Sequence, residues 1–210
     1  MSDFDALEEI KVGDLTVKII NDDEPSDPRE GSDQLGVMAC FHPEYTIGDK
    51  HRIDPHEFAG WDELERHLIR VEGALCVAPL YLYDHSGLQM KIGSFAGLLP
   101  QGHAEFDTMQ VGFIYTTRQR MKEMCGWTRL TEKVQGQVDK QLEAEVETYN
   151  QYLRGDVYGY IIEDEVGDSL ESCWGFYGFD YCKQKAMSTA QYLVDNRVNG
   201  APTDQLKFAL

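Results

Sequence analysis

Positive charge is scarce in this chain. Its 210 residues hold 19 Lys and Arg against 37 Asp and Glu, a formal charge of −18. A field of that sign repels phosphate, so direct nucleic-acid binding and adhesion to an anionic membrane surface are both disfavoured. Long apolar runs are missing too. The longest, such as Leu75 to Leu82, fall far short of the roughly 20 residues a membrane span needs. The opening residues, Met-Ser-Asp-Phe-Asp-Ala-Leu-Glu-Glu, carry neither the basic nor the apolar region of a secretory leader. Cysteine is present five times, an odd number, with no C-x-x-C pair. No disulfide framework is expected, and a reduced protein of the bacterial cytoplasm is. The phosphate loop G-x-x-x-x-G-K-[ST], the dinucleotide fingerprint G-x-G-x-x-G and the zinc motif H-E-x-x-H do not occur. No cofactor is expected.

Hydrophobic residues make up 42% and charged residues 27%, which suits a folded domain with a proper core. Leu15 to Ile20 alternates like a strand, and Gly36 to Phe41 reads as another. Between them, residues 21–35 hold Asp22, Asp23, Glu24, Asp27, Glu30 and Asp33 among Pro25, Pro28 and Gly31, predicting an exposed acidic loop. Phe58, Trp61, Leu64, Leu68 and Val71 form one helical stripe ended by Gly73. Leu75 to Tyr83 and Val111 to Thr116 read as strands. The Gly-rich stretch 88–107 between them reads as a long loop.

A short helix over 117–125 stops at Gly126. A longer one follows Thr131, with Val134, Val138, Leu142, Val146, Tyr149 and Leu153 on one face and Glu143, Glu145 and Glu147 on its outer face. Val157 to Glu163 and Leu170 to Tyr177 predict a hairpin, followed by a helix over 183–196 and a loose tail over 199–210. The expected fold is α+β: one domain over 1–210, with a mainly antiparallel sheet of about six strands and three to four helices packed on it.

Four stretches taken together are distinctive. They are Gly36-Val-Met-Ala-Cys-Phe-His with Tyr-Thr-Ile-Gly-Asp-Lys-His51, Leu80-Tyr-Leu-Tyr-Asp-His-Ser-Gly87, Val111-Gly-Phe-Ile-Tyr115, and Tyr152-Leu-Arg-Gly-Asp-Val-Tyr-Gly-Tyr160 with Ser172-Cys-Trp-Gly-Phe-Tyr-Gly178. The combination resembles a family of bacteriophage and prophage proteins over roughly residues 15–185. The resemblance implies a setting, a phage-borne protein in a bacterial cytoplasm, and transfers no catalytic residue. The acidic loop lies outside the pattern.

Three groups of residues are weighed for chemistry. His51, Asp54, His56 and Glu57 are close enough in sequence to hold a divalent ion. The plainer reading, a polar loop capping the next helix, is preferred, and no metal is expected. Asp84 and His85 end one strand and Cys173 sits within another. If those strands lie side by side, a cysteine nucleophile with an imidazole partner becomes conceivable. The preferred alternative is a buried structural thiol beside a plain turn. Tyr158 and Tyr160 share a strand face, and Trp174 shares one with Phe176. With Arg154 as the only nearby cation, cross-strand packing is preferred over base stacking.

The charge itself is the remaining signal. Residues 1–35 and 132–171 each hold eleven acids and three bases. Carboxylates on a rigid surface can imitate nucleic-acid phosphates and occupy a basic channel by complementary potential. The residues expected to do so are Asp22, Asp23, Glu24, Asp27, Glu30 and Asp33, then Glu143, Glu145, Glu147, Asp156, Glu163, Asp164 and Glu165. The leading expectation is therefore an acidic phage protein that binds and inhibits a host defence complex, a CRISPR effector or restriction enzyme, through that complex's basic nucleic-acid-binding surface. The alternatives are an enzyme with its site near Asp84, His85 and Cys173, and an accessory phage protein that self-assembles.

Overall fold

Leu15, Val17 and Ile19 point to one side of an extended segment, and all three are fully buried. That two-residue period makes Leu15–Asn21 a strand with one core-facing side. The computed structural model describes residues 5–31, 33–85, 87–99 and 107–198, without the side chains of 197 and 198. The tail expected over 199–210 lies outside them. Among the described residues the strands are β1 Glu8–Val12, β2 Leu15–Asn21, β3 Val37–Cys40, β4 Ala74–Asp84, β5 Leu88–Ile92, β6 Thr108–Thr117, β7 Val157–Glu163 and β8 Ser169–Tyr177. The α-helices are α1 Trp61–Arg70, α2 Arg118–Cys125, α3 Glu132–Arg154 and α4 Phe179–Val198. The fold is α+β with antiparallel pairing throughout. In place of one sheet of about six strands there are two sheets of four.

The chain divides into two compact units, Met1–Ser26 with Gly155–Leu210, and Asp27–Arg154. In the first unit the strand order is β1-β2-β7-β8. Its core is Val17, Ile19, Tyr160 and Ile162 against Cys182, Ala186 and Ala190 of α4. The small residues at 182, 186 and 190 recur every fourth position, so the helix backbone can approach the sheet closely.

The second unit has strand order β3-β6-β4-β5. α3 packs Val138, Leu142, Val146 and Tyr149 into its main core with Met38, Leu80, Leu82 and Ile114. Each buried side chain of that size contributes roughly 1.5–3 kcal/mol of transfer free energy. α1 covers a second cluster through Leu64 and Leu68. The helix ends follow local chemistry. Thr117 Oγ1 accepts the Arg120 amide at the start of α2, and Gly126 ends it in the left-handed region at φ 70°. Thr131 Oγ1 accepts the Val134 amide at 3.3 Å before α3.

Two strands were not anticipated. β1 alternates Glu8, Ile10 and Val12 with Glu9 and Lys11, so its charge hides its period. β5 falls in the glycine-rich stretch read as loop, and Met90, with its side chain buried, pins it beneath α3. The Asn150 side chain completes that contact by accepting the Met90 amide at 2.9 Å.

Candidate functional site

Arg29 is the single base within residues 21–35, and its side chain is only 3% exposed. Its Nε and Nη2 donate to the two carboxylate oxygens of Asp49 at 2.8 and 2.6 Å. Nη1 donates to Glu145 Oε2 at 3.1 Å, and Nη2 also reaches the Gly36 carbonyl at 2.8 Å. This is the paired fork that a guanidinium makes and an ammonium does not. The carboxylates serve the backbone as well. Glu145 accepts the amides of Leu35 and Gly36 at 2.7 and 3.0 Å, and Asp49 accepts that of Met38 at 2.9 Å. Burial alone lowers the Arg29 pKa, but the hydrogen bonds and charges of Asp49 and Glu145 outweigh it and leave the pKa raised. The end of the loop is tied down further. Arg120 donates to the Gln34 carbonyl at 2.6 Å, and Thr116 donates to the Leu35 carbonyl at 2.8 Å.

Glu145 therefore faces inward, not outward as expected for the outer face of α3. Helix geometry gives the reason. Residues two apart are rotated by about 200°, so Glu143 and Glu147 share a face that Glu145 cannot share. Asp139, which the sequence reading passed over, lies four residues before Glu143. Asp139, Glu143 and Glu147 are all exposed, in one row at four-residue spacing.

Several other expected partner-binding acids are occupied by structural tasks. Asp22 accepts the amides of Glu24 and Gly175 at 3.3 and 3.1 Å. Asp27 accepts the Arg29 amide at 2.7 Å. Glu163 pairs with Lys18 at 2.8 Å. Asp164 closes the β7–β8 turn by accepting the amides of Val166 and Asp168 at 3.0 and 2.9 Å. Asp156 is half-buried. Asp23, Glu24, Glu30, Asp33 and Glu165 face solvent.

The cysteine-centred arrangement lacks its premise. Asp84 and His85 close β4, which neighbours β5 and β6, while Cys173 lies on β8, which among the described residues neighbours only β7. Cys173 is exposed, so it is not the buried thiol the sequence suggested either. His85 instead places Nδ1 3.4 Å from Asp107 Oδ2 and stacks on Tyr83 with ring centroids 6.0 Å apart. A cleft of about 360 Å³ near this pair is lined by His42, Glu44, Asp84 and Asp107 together with Leu82 and Met109. The Tyr45 hydroxyl bonds to Asp84, and that bond raises its pKa.

The residues weighed for a metal serve the loop. His51 Nε2 lies 3.0 Å from the Cys40 carbonyl, and its ring leans on Phe41 at 4.7 Å. Asp54 caps the short 3-10 turn Pro55–Glu57 by accepting the His56 amide at 2.9 Å. His56 and Glu57 are exposed. Among the described residues no group of three or more His, Cys, Asp or Glu is placed to hold a metal ion.

Tyr158, Tyr160 and Phe176 pack beneath α4. Tyr160 stacks on Phe176 at 5.5 Å, and Tyr158 meets Phe179 edge-on at 5.4 Å. Opposite Tyr158 is Phe176, and opposite Tyr160 is Cys173. One extra residue of β8 is bulged out between those pairs, near Gly175 with φ 79°. Cys173 and Phe176 therefore share a face. Trp174 lies on the other, over Gly159, not beside Phe176 as alternation implied.

Among the described residues no helix is long and apolar enough to cross a membrane. No protein-family model matches this chain, and no curated protein or solved structure matches it either.

Proposed function

We propose that this is a phage-borne acidic protein that binds and inhibits a host complex built to hold nucleic acid, a CRISPR effector or restriction enzyme. It does so by presenting carboxylates to that complex's basic surface. The observation that carries this reading is the row Asp139, Glu143 and Glu147 on α3. Successive members are about 6 Å apart along the helix axis, of the order of the separation between phosphates along a strand. The adjoining face of α3, about 100° round the helix, is locked by Val138, Leu142, Val146 and Tyr149, so the row is held rigid before any partner arrives. Preorganised charge steers encounter and loses little entropy on binding. A net charge of −18 repels nucleic acid itself and favours a basic protein.

The test is an affinity capture with the tagged full chain from nuclease-treated bacterial lysate, at low and high salt. The same capture is run with Asp139→Lys, Glu143→Lys and Glu147→Lys combined. The expected result is a stoichiometric basic protein that handles DNA or RNA, released by salt and lost with the triple variant. Recovery of the bait alone at both salts, or equal capture by the variant, overturns the reading.

A further inference from the structure

Among the described residues four strands lie at sheet edges: β1 and β8 in the first unit, β3 and β5 in the second. Neither β3 nor β5 has an exposed residue. β1 has two, Glu9 and Lys11. β8 has five, Ser169 and the run from Ser172 to Gly175. An edge strand offers unpaired N–H and C=O groups, and proteins usually blunt it with Lys, Pro or bulges. β8 contains no Lys and no Pro. It has register irregularities near each end, and at the far one the Gly175 amide is already taken by Asp22. Between them Glu171, Ser172 and Cys173 pair in regular order with Ile162, Ile161 and Tyr160. A shallow groove of about 320 Å³ runs along Ser169, Leu170, Glu171 and Ser172. The regular open part of the edge is therefore Glu171 to Cys173, with the groove continuing it back to Ser169.

The charge around this edge selects its occupant. Glu165 and Asp168 are exposed in the adjoining turn, and Glu171 stands on the strand. A second copy of this chain would bring the same acids and another −18 charges to the contact. An extended segment bearing Lys or Arg at alternate positions would meet them with opposite charge.

We propose that β8 accepts such a basic segment of the partner protein by strand addition, extending the sheet to β1-β2-β7-β8-segment. This rests on the reading of the chain as a binder of a basic protein and names how one contact is made. Main-chain hydrogen bonds hold the segment, and its alternate basic side chains set the specificity.

The test uses the full chain and a synthetic octapeptide of alternating Lys and Val, with a second peptide of the same sequence N-methylated at every backbone amide. Amide hydrogen exchange and fluorescence anisotropy are the readouts. The unmodified peptide is expected to slow exchange at least tenfold at amides within Ser169–Cys173, and Glu171→Lys is expected to weaken its binding at least fivefold. The N-methylated peptide keeps the charge but cannot complete the ladder, so it is expected to give no protection. Unchanged exchange over Ser169–Cys173, or equal binding of the two peptides, overturns strand addition. The α3 triple variant separates the two readings. If it still governs capture of the basic partner while exchange at β8 stays flat, strand addition fails and the charge reading stands. If no partner is captured but the edge is protected, the charge reading fails and the edge stands as a binder of basic peptide alone.

Discussion

Arg29 and Glu145 are 116 positions apart in sequence and meet at 3.1 Å. Their contact fastens the strand of chain leading into β3 onto the middle of α3. The same Glu145 carboxylate takes two backbone amides of that chain, so the ion pair and the backbone anchoring are one unit. Apolar residues of equal size are therefore no substitute here. They would leave the amides of Leu35 and Gly36 without an acceptor.

Arg29→Ala removes a buried cation and leaves the half-buried Asp49 and Glu145 without it, and breaking a buried pair costs about 3–5 kcal/mol. Arg29→Lys restores the charge but not the fork, so it should recover only part of that loss. Urea unfolding checks both. The midpoint should fall in the order wild type, Lys, Ala with little change in slope. A lysine variant as stable as wild type would show that the geometry of the fork is immaterial.

The sequence carries one signal for this centre: a single arginine inside a run of carboxylates. In the summed charge of its loop Arg29 disappears, because composition does not say which acids share a neighbour. Sequence proximity to Glu143 and Glu147 suggests a shared face for Glu145, and the 3.6-residue period contradicts it. By contrast the core side of α3 was fully legible, since Val138, Leu142, Val146 and Tyr149 repeat at that period. The β7–β8 hairpin was legible for the same reason at period two. Its bulge was not, because the register of Trp174 depends on Gly159 across the sheet.

Stability should decline in alkali. Burial raises the thiol of Cys40 from 9.0 to about 12 and that of Cys182 from 9.0 to about 11. Burial also raises the Tyr149 phenol from 10.0 to about 12, although its hydroxyl donates to no carboxylate and itself accepts the Gly48 amide. These folded values lie above the unfolded ones, so the unfolded chain gives up its protons first. The contribution is complete below pH 9 and is lost as pH rises through 9 to 12, on the order of 1.4 kcal/mol per group per pH unit once the unfolded form is ionised. The urea midpoint should fall between pH 9 and 11, and Cys40→Ala should flatten that fall. A midpoint constant to pH 11 contradicts the assignment.

The five thiols should divide by access. Cys125 and Cys173 are exposed, while Cys40, Cys76 and Cys182 are buried. Reaction needs both exposure and thiolate, and burial denies both. Under native conditions at pH 8, a maleimide should therefore modify Cys125 and Cys173 within minutes and the other three only after unfolding, as read by peptide mass spectrometry. Rapid native labelling of Cys182 would mean that α4 does not stay seated on its sheet.

Two glycines, one in each unit, should respond unequally to a methyl group. At Gly112 in β6 a Cβ would run into the Ala39 carbonyl of the paired strand β3. Backbone on both sides cannot retreat without breaking that ladder. At Gly159 in β7 a Cβ would meet the Trp174 ring instead. Trp174 is 39% exposed, so the ring can swing towards solvent, forfeiting the cover it gives the glycine. Overpacking that side chains can absorb costs about 1–3 kcal/mol. Gly159→Ala should fall in that range and red-shift the tryptophan emission. Gly112→Ala should exceed it while leaving the emission of the folded fraction near that of the wild type. Thermal melts followed by far-ultraviolet circular dichroism rank the two, and the reverse order would mean that the β3–β6 pairing gives way more easily than the indole moves.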